Sequence, residues 1–127
     1  MNIPSDLKYT KEHEWLKVEG GVAAIGITDY AQGELGDIVF IELPKVGTRL
    51  EQTKPFGVIE AVKAVSEIFS PITGEVTEVN SKLETEPTTI NSDPYGAGWI
   101  IKIKVADLKE LNSLLSAEDY KKLLETH

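Results

Sequence analysis

The sequence predicts a mainly β fold, a small sandwich of short strands arranged about a central, lysine-tipped hairpin. Three observations lead there. Apolar runs of strand length recur between turn residues through the middle of the chain. Pro44, Pro55, Pro71 and Pro94 fall between those runs, where a missing amide proton does least harm. A Pro-x-x-Gly unit leading into a strand occurs twice, at Pro44-Lys45-Val46-Gly47 and Pro71-Ile72-Thr73-Gly74, with Lys63 between the copies. Two such units about one hairpin predict quasi-twofold symmetry. At 127 residues a single core suffices, so one domain over 1–127 is expected, with its core over about 7–106 and a helical segment over about 107–125.

The elements follow in order. Trp15-Leu16-Lys17-Val18-Glu19 and Val22-Ala23-Ala24-Ile25-Gly26-Ile27 form a predicted hairpin, with Gly20-Gly21 supplying the positive φ of a tight turn. Thr28-Asp29 can cap a short helix over 28–35 that Gly36 ends, although Gly33 weakens its interior. Strands are expected over 38–43, 56–61, 65–69, 75–80 and 99–105. The period then changes: Asp107 precedes a helical stripe of Leu108, Leu111, Leu114 and Leu115. Ser116 caps a second helix, with Glu118 and Asp119 in its first turn and Lys121 and Lys122 further on. Tyr120, Leu123 and Leu124 are expected to face the barrel.

Composition excludes several function classes. Without cysteine there is no disulfide, no thiolate metal site and no cysteine nucleophile. The formal charge of −8, from 21 acidic against 13 basic residues, argues against nucleic acid as a partner and suits docking on basic surfaces. No run approaches the roughly 18 apolar residues of a membrane span. The N-terminus reads as neither a secretory nor a transit signal, so a cytoplasmic monomer is expected. His13 stands beside Glu12 and Glu14, but successive strand positions face opposite ways, so no metal site is expected there. His127 is expected to be disordered.

The run richest in chemical implication is Phe56-Gly57-Val58-Ile59-Glu60-Ala61-Val62-Lys63-Ala64-Val65-Ser66-Glu67-Ile68-Phe69. Two β-prone arms flank Lys63, and antiparallel pairing places Val62-Lys63-Ala64 at the connection. That connection has no Gly, Asn, Asp or Pro, so its side chains serve something other than turn formation. A lysine held there presents a primary amine that acylation turns into a stable, uncharged amide, which is the chemistry of a covalent tether.

Glu60-Ala61-Val62-Lys63-Ala64 resembles a lipoyl-attachment motif, with a glutamate three positions before the modified lysine. The surrounding segments Tyr9-Thr10-Lys11-Glu12-His13-Glu14-Trp15, Gly26-Ile27-Thr28-Asp29-Tyr30-Ala31-Gln32, Leu35-Gly36-Asp37-Ile38-Val39-Phe40, Ser70-Pro71-Ile72-Thr73-Gly74-Glu75-Val76 and Asn91-Ser92-Asp93-Pro94-Tyr95-Gly96-Ala97-Gly98-Trp99 are similar to glycine cleavage H proteins. Ala61 departs from the family's frequent serine but keeps a small residue.

The resemblance implies the barrel-sandwich hybrid of lipoyl- and biotin-bearing domains, and covalent lipoate on Lys63. It also implies a non-catalytic carrier serving glycine decarboxylase, a tetrahydrofolate-dependent aminomethyltransferase and dihydrolipoamide dehydrogenase, lipoylated by a lipoate ligase or a lipoyl/octanoyl transferase. It further implies a cleft on the carrier for the loaded arm, with Glu14 and Glu67 as carboxylates for its amine, Ile27 on the wall and Glu34 near the rim. Other readings remain open at this point: a lipoyl donor or relay, a lipoyl domain of a 2-oxo acid dehydrogenase, an enzyme using Glu14 and Glu67 as an acid–base pair, or a plain interaction module.

Overall fold

A computed structural model describes residues 1–126, leaving His127 outside the described residues. Among these described residues nine strands form two antiparallel sheets: β1 Lys8–Tyr9, β2 Glu14–Glu19, β3 Val22–Ile27, β4 Ile38–Glu42, β5 Arg49–Leu50, β6 Pro55–Ala61, β7 Val65–Phe69, β8 Gly74–Val79 and β9 Ile101–Val105. The larger sheet runs β1-β2-β3-β9-β8-β5 and the smaller β4-β6-β7. Side chains of alternating parity fill the space between them: Ile25, Val76 and Ile103 from one sheet meet Ile41, Ile59 and Ile68 from the other, all buried. The β2–β3 hairpin turns at Gly20 (φ 59°) and Gly21 (φ 82°), as expected from their freedom at positive φ.

The two Pro-x-x-Gly units meet each other. The strands that follow them, β5 and β8, pair antiparallel with Arg49 opposite Glu75 and Leu50 opposite Gly74. Their glycines work differently, because Gly47 takes φ 92° whereas Gly74 makes room: a Cβ there would collide with the Lys104 carbonyl of β9. Gly74→Ala is expected to destabilise the domain by about 2–3 kcal/mol in urea unfolding, the scale of forcing an extra carbon into packed backbone. An unchanged midpoint would refute the close approach.

α1, Asp29–Leu35, forms where expected despite Gly33, because the Thr28 hydroxyl accepts from the Ala31 N–H and Gly36 closes the end onto the Gln32 carbonyl. Between β8 and β9 lie two single-turn helices that periodicity did not reveal, α2 Lys82–Thr85 and α3 Thr89–Ser92, each too short to repeat. Each is anchored by one fully buried side chain, Leu83 and Ile90. β6 begins at Pro55 itself, which was expected between strands; the first residue of a strand tolerates proline.

The leucine stripe after Asp107 requires correction. Only Leu108–Ser113 coils, as a 3₁₀ helix, and Leu114 is extended (φ −89°, ψ 159°). Glu110 receives both the N–H and the hydroxyl of Thr73, and Leu115 exchanges two backbone hydrogen bonds with Tyr9 at 2.8 Å each. A continuing helix would forgo the latter pair, so tertiary bonding stops it. α4, Ala117–Glu125, starts at Ser116 as expected, but Tyr120, Leu123 and Leu124 face a separate cluster with Leu7, Tyr9 and Trp15 rather than the main core. The Tyr9 and Tyr120 rings stack at 4.7 Å.

Candidate functional site

Lys63 occupies a turn that sequence rules disfavour. Glu60 pairs with Val65, and the Ala61 N–H donates to the Ala64 carbonyl at 2.9 Å, so Val62-Lys63 is a two-residue loop. Neither residue has positive φ, so the turn lacks the primed geometry that matches hairpin twist. Its stability comes from outside the hairpin. The Val62 N–H donates to the Asp37 carbonyl at 3.0 Å and the Lys63 N–H to the Leu35 carbonyl at 3.2 Å, so both amides lean on the connection between α1 and β4.

The Lys63 stem lies along Gly36, where a Cβ would stand 3.3 Å from its Cγ and where φ is 79°. An L side chain at that position would be strained and would crowd the lysine. The Lys63 ammonium is exposed and makes no ion pair among the described residues. An accessible amine on a supported stem, beside a position kept free of a side chain, fits the covalent acyl group that the resemblance implies. Glu60, Ala61, Val62 and Ala64 complete the tip, with Val62 at 72% exposure.

The second feature is a buried acid. Glu14 opens β2 and shares parity with Leu16 and Val18, so the strand carries its side chain inward to 2% exposure. One carboxylate oxygen accepts from the Thr10 hydroxyl at 2.5 Å and the other from the Phe69 N–H at 3.2 Å. Burial pushes the Glu14 carboxyl up to about 7, against the pull of these two donors and with some repulsion from Glu12. It borders a cavity of about 420 Å³ whose lining includes Thr10, Glu12, Phe69, Ser70 and Leu115. A carboxyl half-ionised near neutrality in such a pocket can receive a cationic amine by a charge-assisted hydrogen bond.

The sequence singled out Glu14 by its place in a motif and did not reveal its burial; Trp15 beside it is buried as well, so this end of β2 shows no simple alternation. The reasoning applied to Glu12, His13 and Glu14 as successive strand residues does not hold, since Glu12 and His13 form a turn in which His13 takes φ 70°. His13 Nδ1 instead lies 2.8 Å from the Tyr120 hydroxyl, which is 2.7 Å from Thr28 Oγ1. No group of three or more metal-ligating side chains occurs among the described residues.

Of the other residues expected around the arm, Ile27 sits beside Glu14, whereas Glu67 and Glu34 lie elsewhere. Glu67 lines a different depression, on the outer face of the three-stranded sheet with Glu42, Arg49 and Phe56. Glu34 is exposed on α1, accepts a hydrogen bond from the Tyr30 hydroxyl at 3.0 Å, and borders a third hollow with Met1 and Asp29. Ile27 pairs with Glu14 across β2–β3 and is buried in the core. The placement of Glu14 and Glu67 in separate depressions gives no support to an acid–base pair. The two features that do relate are Lys63 and Glu14, at opposite ends of one strand. Glu14 grips Phe69 at the foot of β7, and the six positions from Lys63 to Phe69 span at most about 20 Å.

Comparison with known proteins accords with this architecture. The family model for the glycine cleavage H-protein matches residues 7–127. The chain is 54% identical over 125 residues to the glycine cleavage system H protein of Halothermothrix orenii, covering 98% of each chain. It is 55% identical over 119 residues to that of Symbiobacterium thermophilum, covering 94% of this chain and 93% of the other. A crystal structure of a glycine cleavage system H protein from Mycobacterium marinum aligns with a TM-score of 0.89 at 37% identity, covering 97% of this chain and 99% of that one. The mainly β, barrel-sandwich fold that was expected matches that of the Mycobacterium marinum structure, and this chain belongs to the glycine cleavage H-protein family.

Proposed function

We propose that the chain is the lipoyl-bearing carrier of a glycine cleavage system, with lipoate in amide linkage to Lys63. The observation that carries this reading is the Lys63 turn: an exposed amine on a loop without turn residues, held by carbonyls of a neighbouring connection. Lys63 would hold the lipoyl group, whose sulfur chemistry would let the chain carry an aminomethyl group between glycine decarboxylase and a tetrahydrofolate-dependent aminomethyltransferase, with dihydrolipoamide dehydrogenase as the partner for reoxidation. The chain itself catalyses none of these steps; it positions the group and raises its local concentration.

The surroundings of the tip suit repeated docking. Val39, Phe40, Val62 and Val65 are four of the seven exposed large apolar side chains among the described residues, and all belong to the smaller sheet or its tip. Register aligns Phe40, Glu60 and Val65 across three strands, so apolar and acidic groups alternate on that face. Basic, partly apolar partner surfaces are complementary to it. Glu14 then serves as the internal acceptor for the cationic amine of the carried group, keeping it from water.

The test is direct. The protein is incubated with lipoate, ATP and a lipoate ligase, and modified peptides are located by mass spectrometry. One lipoyl group, on the peptide containing Lys63, is the expected product. Folded protein that takes up no lipoate, or takes it up at another lysine, would sink the proposal.

A further inference from the structure

The Asn91-Ser92-Asp93-Pro94-Tyr95 segment has no part in the chemistry described above, yet its first residue reaches the support of the attachment turn. Asn91, on α3, makes three side-chain hydrogen bonds. Its Oδ1 accepts from the Ile38 N–H at 3.0 Å, and its Nδ2 donates to the Gly36 carbonyl at 2.9 Å and to Gln32 Oε1 at 3.0 Å. The orientation of the amide is forced, because an N–H must face the oxygen and a carbonyl must face the nitrogen.

Asn91 therefore brackets the backbone from Gly36 to Ile38 from one side, as a neighbouring strand would. On the other side, the Leu35 and Asp37 carbonyls hold the Lys63 and Val62 amides. The two sets of bonds interleave along four consecutive residues, so a shift of that connection moves the carbonyls on which the turn rests. Locally the turn is closed by the Ala61–Ala64 hydrogen bond, without glycine or primed geometry to stiffen it further.

We propose that Asn91 is a positioning residue for lipoylation: through the Gly36–Ile38 backbone it fixes the turn that presents the Lys63 amine to the modifying enzyme. This rests on the carrier reading above, and the experiment separates the two. Asn91→Ala, which removes all three bonds, and the isosteric Asn91→Asp, which keeps the Ile38 bond but sets a carboxylate oxygen against the Gly36 carbonyl and Gln32 Oε1, are compared with Asn80→Ala. Asn80 is the control: its amide also donates two hydrogen bonds, in its case both to backbone carbonyls, those of Ala97 and Trp99, and none to the Gly36–Ile38 connection.

Two readouts are taken on the full chain: amide hydrogen exchange at Val62 and Lys63, and kcat and KM for lipoylation by a lipoate ligase. In the Asn91 variants, exchange at both amides is expected to rise about tenfold or more. Lipoylation is expected to fall about tenfold, chiefly in kcat, because the docking surface is untouched while the acceptor amine is misplaced. Asn80→Ala should lower thermal stability and change neither readout. Unaltered exchange at Val62 and Lys63, unaltered lipoylation, or equal effects from Asn80→Ala would each overturn the proposal. If wild-type protein accepts no lipoate, the carrier reading fails, and the exchange data still decide whether Asn91 holds the turn.

Discussion

Lys63→Arg is expected to abolish glycine-dependent turnover in a system reconstituted with the decarboxylase, aminomethyltransferase and dihydrolipoamide dehydrogenase, while the fold stays intact. A guanidinium keeps the charge and most of the stem, but it does not lose its proton in proteins and so offers no nucleophilic amine for acylation. Nothing structural depends on the ammonium, which is exposed and free of ion pairs among the described residues. The stability change should therefore stay within about 0.5 kcal/mol, as for surface substitutions elsewhere. Activity at background with an unchanged melting curve would identify Lys63 as the functional amine. Substantial residual turnover would place the working group elsewhere.

Glu14→Gln should act on stability and on the carried group in opposite directions. Folding raises the Glu14 carboxyl from 4.5 to about 7, chiefly through burial. Between those two values the folded chain holds more protons than the unfolded one, so stability falls as pH rises from about 4.5 to about 7 and then levels off. At about 1.4 kcal/mol per pH unit, the loss is on the order of 3 kcal/mol. Glutamine is neutral throughout, and its amide can satisfy both partners: Oε1 accepts from the Phe69 N–H while Nε2 donates to the Thr10 hydroxyl. The variant is expected to lack the slope in urea unfolding between pH 5 and pH 8, and to be the more stable protein at pH 8. A retained slope would show that another group is responsible.

The carrier charged with a glycine-derived aminomethyl group should meanwhile lose its protection. Without tetrahydrofolate, water attack on that carbon releases ammonia and formaldehyde and leaves a thiol. Removing one charge-assisted hydrogen bond to the amine predicts release about tenfold faster in Glu14→Gln. Equal release rates in the two proteins would mean that Glu14 does not hold the amine.

What could be read from the sequence and what could not divides along the range of the interactions involved. The β2–β3 hairpin, α1 with its Thr28 cap, β4, β6, β7 and the start of α4 were legible because side-chain period, glycine turns and helix caps act over a few neighbouring residues. Lys63 stood out for the same reason, as a lysine at a connection devoid of turn residues. The end of the leucine stripe at Ser113 was not legible, because what stops it is a pair of backbone bonds between Leu115 and Tyr9. The single-turn helices α2 and α3 gave no period to detect. Glu14 was singled out by position in a motif, but its proton affinity arises where β2 presses it against Phe69 of the other sheet.

Sequence alone determined that Lys63 lies between two strands of a small β domain, since alternation and turn chemistry are written into adjacent residues. Only the tertiary structure decided how that lysine is held, because the carbonyls of Leu35 and Asp37, and the Asn91 amide bracing the same connection, come from segments up to about thirty positions away. A hydrogen bond is indifferent to sequence distance, and its partners are known only once the chain has folded.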